Sequence, residues 1–448
     1  MDFECEVDVM VKDMFGLDLR IPIYQRPYKW TEKNISELFF DILKAKEENE
    51  KKEEKDKLES YRIGTIILHK KNEDDDKEYY NIVDGQQRII SLCLLLNILY
   101  KLLKILDDSK DLKVIEDSEG ITRYNICKNK TKLEKLVTSE LKPDQAKKEY
   151  LKYIQDECGF VKIVITSESE ELAFQFFDSQ NNRGKELELY DTLKAYHLRN
   201  IPDSNNYDKN TAVEKWEEAE RLSPLFESLY QIKQWSKSKN GNRSKWKMDD
   251  KDRFFEIFKG IRNNNDEYPF KNYHLSAREF RQIDMPIIPG EYFFEDIFYY
   301  LELYEKIEHL CKENFETEFK NLGKLKNSRE GKFLRFKNSG DKYIYDMMKC
   351  ALLFLAVKFG IENIKKRSLV KRIFNWAWIL RVCYGRISKE TINNYARGIK
   401  SNLDRNLKLF EIIGDKTEIK QILEEELPKP KTIENREDEL YRYIFEEE

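Results

Sequence analysis

Histidine is scarce in this chain. There are four among 448 residues, His69, His197, His274 and His309. None has a histidine neighbour, which excludes an HNH-type nuclease built on one ββα-metal unit. Cysteine tells a similar story. The seven, at positions 5, 93, 127, 158, 311, 350 and 383, never form CxxC. Zinc fingers and ribbons, which need clustered Cys and His, are excluded. A secreted disulfide scaffold would be denser in cysteine, so the expectation is reduced thiols in a cytoplasmic protein. No run reaches the roughly 18 uninterrupted apolar residues of a membrane span, so no membrane partner is expected. The start, MDFECEVDVMVKDM, is acidic and lacks the basic region of a signal peptide. Excess charge of one sign is also missing: 80 Lys and Arg against 84 Asp and Glu leave −4. The mean charge names no polyanionic partner; only its distribution can.

What is present points to a folded chain. Aromatics reach 13%, which excludes simple disorder. The length predicts about three domains, or two large ones. Residues 6–15 read as a short helix. LDLRIPIYQRPYKW then reads as a strand entering a loop bracketed by Pro22 and Pro27. Thr31 is placed to cap a helix through Ile35, Leu38, Phe39 and Ile42. The charge run 44–57 reads as a solvated helix end or a connection. YRIGTIILHK (61–70) and YYNIVDG (79–85) read as a hairpin, feeding an apolar helix over Gln86–Leu106. Residues 107–158 are polar and helix-biased, 159–168 a strand, 171–180 a helix, and Leu189–Arg199 another. The rest is mostly helical by periodicity, with no internal repeat.

Charge is uneven near the end. Residues 351–410 hold 13 Lys and Arg against three Asp and Glu; residues 411–448 hold six against 13. The basic block, with KKRSLVKR at 365–372, could face DNA phosphates. It could equally be balanced by the acidic tail or a partner.

Three motifs could carry chemistry. In VDGQQR (83–88) a strand ends, the chain turns at Gly85, and a helix begins. The first N–H groups of a helix are unpaired and carry the positive end of its dipole, which suits a phosphate. Gln86 and Gln87 can donate and accept; Arg88 offers a planar fork. Asp84 could hold a magnesium water or orient the arginine, but by itself the motif reads more simply as a strand-to-helix turn with an Asp cap. In IPIYQRPYKW (21–30), Gln25 and Arg26 sit among Tyr24, Tyr28 and Trp30, where an aromatic could stack a base or meet a cation; the alternative is a packed aromatic loop. In FFDSQNNRGKELELYDTLKAYHL (176–198), Asn181, Arg183 and Gly184 interrupt a helix. Asp191 and Lys194 share a helical face, as a surface ion pair or as support for a metal or phosphate at Asn181.

Smaller candidates are weaker. Trp235 and Trp246 flank a basic stretch that could stack exposed bases or be a surface loop. GKLKNSREGKFLRFKNSGDK (323–342) is a similar basic loop. FNWAWIL (374–380) reads as helical core, and His69 and His197 as structural.

In their order, IPxYQRPYxW, RIGTIIL, VDGQQR before an apolar helix, and FxxxNxRGxxL…D.LKA resemble one family. It is the N-terminal domain family of GmrSD-type, modification-dependent restriction systems, related to the ParB and sulfiredoxin fold. The resemblance covers roughly residues 8–200. It implies an α+β chain: a ParB/sulfiredoxin-like nucleotide-binding domain over 1–200, then a mostly helical region over 201–448. It implies NTP and Mg²⁺ as cofactors and a role in defence against foreign DNA. By position, Gln25, Arg26, Gly85, Gln86, Asn181, Arg183, Gly184 and Lys194 would bind the nucleotide. Asp84, Gln87 and Arg88 would serve hydrolysis, and Asp84 with Asn181 would hold the metal. Many relatives carry a C-terminal HNH domain with a late histidine. Here His309 is the last histidine. The expectation is therefore an NTP-binding and hydrolysing sensor or regulator, with DNA near 351–410, a separate nuclease partner and a possible homodimer. The alternative is a nucleotide-gated DNA adaptor without turnover. No paired-carboxylate motif supports nuclease chemistry in the chain itself.

Overall fold

The computed structural model describes residues 3–51, 60–72, 77–105, 120–166, 189–201, 207–237, 251–261, 281–321, 336, 338–399, 403–431 and 438–445. They fall into two compact units, 1–195 with 208–219, and 196–207 with 220–448. The architecture is α+β.

The first unit contains β1 (Phe3–Met10), α1 (Val11–Met14), β2 (Leu19–Arg20), α2 (Glu32–Glu50), β3 (Tyr61–Asn72) and β4 (Glu78–Asp84). Then come α3 (Gln86–Leu103), α4 (Gly120–Glu140), α5 (Asp144–Glu157), β5 (Cys158–Ile165), α6 (Leu189–Arg199), which continues into the second unit, and α7 (Lys209–Glu218). The helix expected over 6–15 is corrected. Residues 3–10 are a strand because FECEVDVM alternates apolar and acidic residues, the period of a pleated strand. The helix expected over 171–180 lies outside the described residues.

The sheet order is β1-β5-β3-β4-β2. β3 and β4 form the expected antiparallel hairpin, and β5 lies parallel to β3. The strand period of two splits the side chains between two faces. Ile66, Leu68 and Ile82 enter the main core with α2 to α5; Ile67, Val83 and Ile165 form a second cluster with Ala195 of α6. Thr31 precedes α2, and its backbone N–H is accepted by Asn34 Oδ1 at 3.1 Å. Helix α3 is apolar on most sides because the core surrounds it. By length and composition it could cross a bilayer, yet two-thirds of it is buried within the protein. It ends where Lys104 adopts a left-handed conformation.

The second unit, among the described residues, is built of helices without a strand, and its isolated bridges include Leu403 to Pro430. Its helices are α8 (Leu222–Trp235), α9 (Lys251–Lys259), α10 (Glu291–Asn321), α11 (Ser339–Phe359) and α12 (Ile361–Ile364). They continue with α13 (Arg367–Cys383), α14 (Lys389–Ala396), α15 (Leu409–Asp415), α16 (Ile419–Leu423) and α17 (Asp438–Phe445). α11 and α13 are buried along most of their length, and Trp376 and Trp378 are core residues.

His197 is structural. Its Nδ1 accepts from Gly290 N–H at 3.3 Å, so Nε2 carries the proton and donates to Phe258 O at 3.0 Å. The ring stacks on Phe293 at 3.6 Å. Burial pushes its pKa down to about 3. The unfolded chain titrates near the ordinary value of about 6.5. Between these values the unfolded state binds more protons, so this contribution is present above about pH 6.5 and is lost as pH falls toward 3. The slope from this group is at most about 1.4 kcal/mol per pH unit. Urea unfolding between pH 7 and 4 should show a steeper loss in the wild type than in His197→Gln, which keeps a donor and an acceptor. Equal slopes would reject the assignment.

Candidate functional site

The site candidate is the turn from β4 into α3. Gly85 is the residue before the first helical turn and has φ +94°. Two constraints require glycine there. The left-handed backbone is strained for other residues, and an added Cβ would lie 2.2 Å from Ile66 Cδ1. No side chain caps α3, so the Asp cap considered from the sequence does not form. The turn therefore presents the uncapped, positive end of an 18-residue helix.

Arg88 lies one turn in. A Cβ on Gly64 would meet its Nη1 at 1.9 Å, so the guanidinium rests against bare β3 backbone. Gly64 has φ +147°. Arg88 Nη2 is 3.6 Å from Asp84 Oδ2, and both side chains stay partly exposed. Asp84 thus orients Arg88 and remains open to solvent.

Gln25 and Gln87 have different work. Gln25 is buried and donates through Nε2 to Ile82 O at 2.9 Å and Val83 O at 2.8 Å. Gln87 Oε1 accepts from Lys29 N–H at 2.8 Å and Trp30 N–H at 3.2 Å, while Nε2 donates to Pro27 O at 3.2 Å. Both amides tether the loop. Arg26, held between these tethers, makes no hydrogen bond or ion pair with the described residues. Gln86 is 7% exposed, and its Oε1 is buried without a hydrogen-bond partner. The aromatic residues are packed: Tyr28 is fully buried, and Tyr24 and Trp30 lie against the two clusters.

Sequence reasoning missed a third set of tethers on α4. Thr122 Oγ1 accepts from Tyr28 N–H at 3.1 Å, and Asn125 donates to Tyr28 O at 2.8 Å. Asn129 donates to Tyr28 Oη at 3.0 Å and to Trp30 O at 2.8 Å. Tyr28 Oη is 2.7 Å from Ser91 Oγ, which donates to Gln87 O at 2.8 Å. The signal was a polar stripe at i, i+3 and i+7, one helical face.

The third motif is only partly visible. Asn181, Arg183 and Gly184 lie outside the described residues. Asp191 is buried, and Lys194 is fully buried with its ammonium on Glu217 of α7. A surface pair is therefore not what this face forms. Among the described residues no group of three His, Cys, Asp or Glu is placed to hold a metal. Asp84 is the only carboxylate in DGQQR. That donor set fits Mg²⁺ arriving with phosphate oxygens, since Mg²⁺ commonly takes one or two carboxylates and keeps waters.

In the second unit, the basic block is partly consumed. Arg381 pairs with Asp341 at 2.5 Å, both buried. Lys358 donates to Ile413 O at 2.8 Å and Gly414 O at 2.5 Å. Lys365, Lys366 and Arg367 at the start of α13 are exposed. Trp235 is buried, with Nε1 on Asn393 Oδ1 at 2.7 Å; Trp246 lies outside the described residues.

Residues 10–198, which contain this turn and its loop, match the family described as GmrSD restriction endonuclease, N-terminal domain, and that match suggests a component of a restriction or defence system. The resemblance read from the motifs is thereby supported. Residues 208–441 match the Family of unknown function (DUF7834), and through this match, over just more than half of its length, the chain belongs to that family. No curated protein matches the chain significantly.

Gly64→Ala should displace Arg88 and strain β3, lowering stability by roughly 2 kcal/mol or more. Tyr28→Phe removes two hydrogen bonds but no ring, and should cost about 1–2 kcal/mol. Urea unfolding measures both. A Tyr28→Phe effect below about 0.5 kcal/mol would show that the Ser91 and Asn129 contacts contribute little.

Proposed function

We propose that the first unit binds the phosphates of an Mg²⁺–NTP at the Gly85–Arg88 turn and hydrolyses the nucleotide to regulate DNA cleavage by a partner. The observation that carries this reading is the uncapped N-terminus of α3 with Arg88 seated on Gly64 beside it. Backbone N–H groups and a guanidinium fork are the groups that phosphate oxygens require. The buried, unpartnered Gln86 Oε1 fits a site completed by a ligand. Arg26 offers a second cation on a loop braced from three sides. Asp84 would hold the metal, with Asn181 as the other expected donor. Bound Mg²⁺ would offset phosphate charge. Arg88 and Arg26 would stabilise the charge that develops on the transferred phosphoryl group. Exposed Lys365, Lys366 and Arg367 would contact DNA backbone.

A second reading is a nucleotide-gated DNA adaptor without turnover. One observation favours it: both polar atoms of Gln87 are engaged by residues 27–30. That leaves Gln87 poorly placed to orient water. Gln86 then becomes the remaining amide for that role.

An NTP panel with Mg²⁺, with and without modified DNA, tests both. Arg88→Ala should weaken binding at least tenfold and reduce any turnover about 100-fold or more. Binding lost in Arg88→Ala, with no wild-type hydrolysis under any condition, would select the adaptor. A wild type that neither binds nor turns over any NTP would overturn both.

A further inference from the structure

The second unit has a cavity of about 620 Å³ beside the C-terminal half of α8, along α9 and under residues 285–287. That volume suits a discrete small ligand or one group of a larger one. Among the described residues its charged lining is Lys233, Lys237 and Arg253 with Glu256. Lys237 and Arg253 are exposed at the rim. Lys233 is 8% exposed and donates one proton to Met285 O at 2.6 Å. Arg253 Nη2 donates to Gln234 Oε1 at 3.0 Å, which orients the guanidinium.

A cation held this deep normally has a carboxylate partner. Met285 O is a neutral acceptor, and among the described residues of the lining the carboxylate is Glu256. The helix dipoles do not favour an anion here, because α8 and α9 turn their carbonyl ends toward Lys237 and Gly260. The side-chain cations must therefore supply the attraction.

We propose that this cavity is an oxyanion site that takes a phosphate group through Lys233, Lys237 and Arg253. The phosphate is either that of a small phosphorylated ligand or a phosphodiester of a nucleic-acid strand. The site is independent of the nucleotide turn, lies in the other unit, and is tested without any NTP.

Binding has a proton signature. Burial and the neighbouring Lys237 hold Lys233 down to about 7, while Asp284 and Asp296 pull the other way. Arg253 and Glu256 are the other charged groups of the lining. At pH 8 the free amine is mostly neutral. A dianion beside it favours the ammonium, so a proton is taken up on binding. At pH 6 the amine is already charged and uptake vanishes.

The experiment titrates the full chain with sulfate, which does not itself titrate in this range, in two buffers of different ionisation enthalpy at pH 8 and pH 6. A second arm titrates a short single-stranded oligonucleotide against salt. The expected result is sulfate binding with uptake approaching one proton at pH 8 and none at pH 6. Lys233→Met should abolish uptake. The rim variant Lys237→Ala with Arg253→Ala, both exposed positions, should weaken sulfate at least tenfold and keeps the test valid if Lys233→Met fails to fold. If the source is nucleic acid, sulfate competes with the oligonucleotide and the rim variant lowers its salt slope by about 1.4, at roughly 0.7 per phosphate. Sulfate binding without oligonucleotide competition assigns the site to a small phosphorylated ligand. Unchanged affinity for both probes in the rim variant overturns the proposal.

Discussion

The carboxamide of Gln87 accepts from the N–H groups of Lys29 and Trp30 and donates to Pro27 O, and the loop facing the α3 turn depends on it. Residues 21–30 carry two prolines, and the pairing of β2 stops at Arg20. A half-buried loop of this kind must still satisfy the backbone donors and acceptors that it takes out of water. Gln25 provides for β4, Gln87 for 27–30, and Thr122, Asn125 and Asn129 for 28–30. Each bond is worth only about 1 kcal/mol net, but a buried orphan costs about 1–3 kcal/mol. The tethers work mainly by making every other arrangement of the loop worse. Arg26 is thereby presented on a loop whose backbone is already held in place.

Gly64 and Gly85 extend the same logic to the sheet. Both have positive φ, and in both a Cβ would collide with a neighbour that the site needs. At Gly85 that neighbour is Ile66 in the core; at Gly64 it is the Arg88 guanidinium itself. RIG and DGQQR are 20 positions apart in the chain, yet they form one device. The first supplies a flat backbone surface for the arginine that the second carries.

This explains what was legible from the residues. Period and β-branching show β3, β4 and α3, because most of what those elements bury is apolar. Thr31 was legible as a helix start because capping is local. β1 was misread because an eight-residue strand of alternating acids is hardly longer than two helical turns. The roles of Gln25 and Gln87 were not legible, for a chemical reason. A carboxamide that suits phosphate suits a backbone carbonyl equally well, and their partners lie 57 to 60 positions away. The stripe on α4 was visible in principle. Buried Asn129 at the end of it separates a gripping face from a solvated one.

The basic block shows how far composition departs from disposition. Of its cations, Arg381 and Lys358 are spent inside the second unit. Arg405 and Lys408 pair with Glu426 and Glu411 of the acidic stretch that follows, and Lys371 lies over the Tyr443 ring. The acidic tail thus neutralises part of the block in place. Among the described residues of the block, what faces outward is a short group at Lys365, Lys366 and Arg367, with Arg386 and Lys389 farther along the chain. Lys365 is itself shared with Glu362. Salt screens exposed charges of this kind beyond about 8–10 Å. The DNA contact proposed for this block therefore rests on a few cations at defined positions, because the others among the described residues of the block are already engaged within the unit.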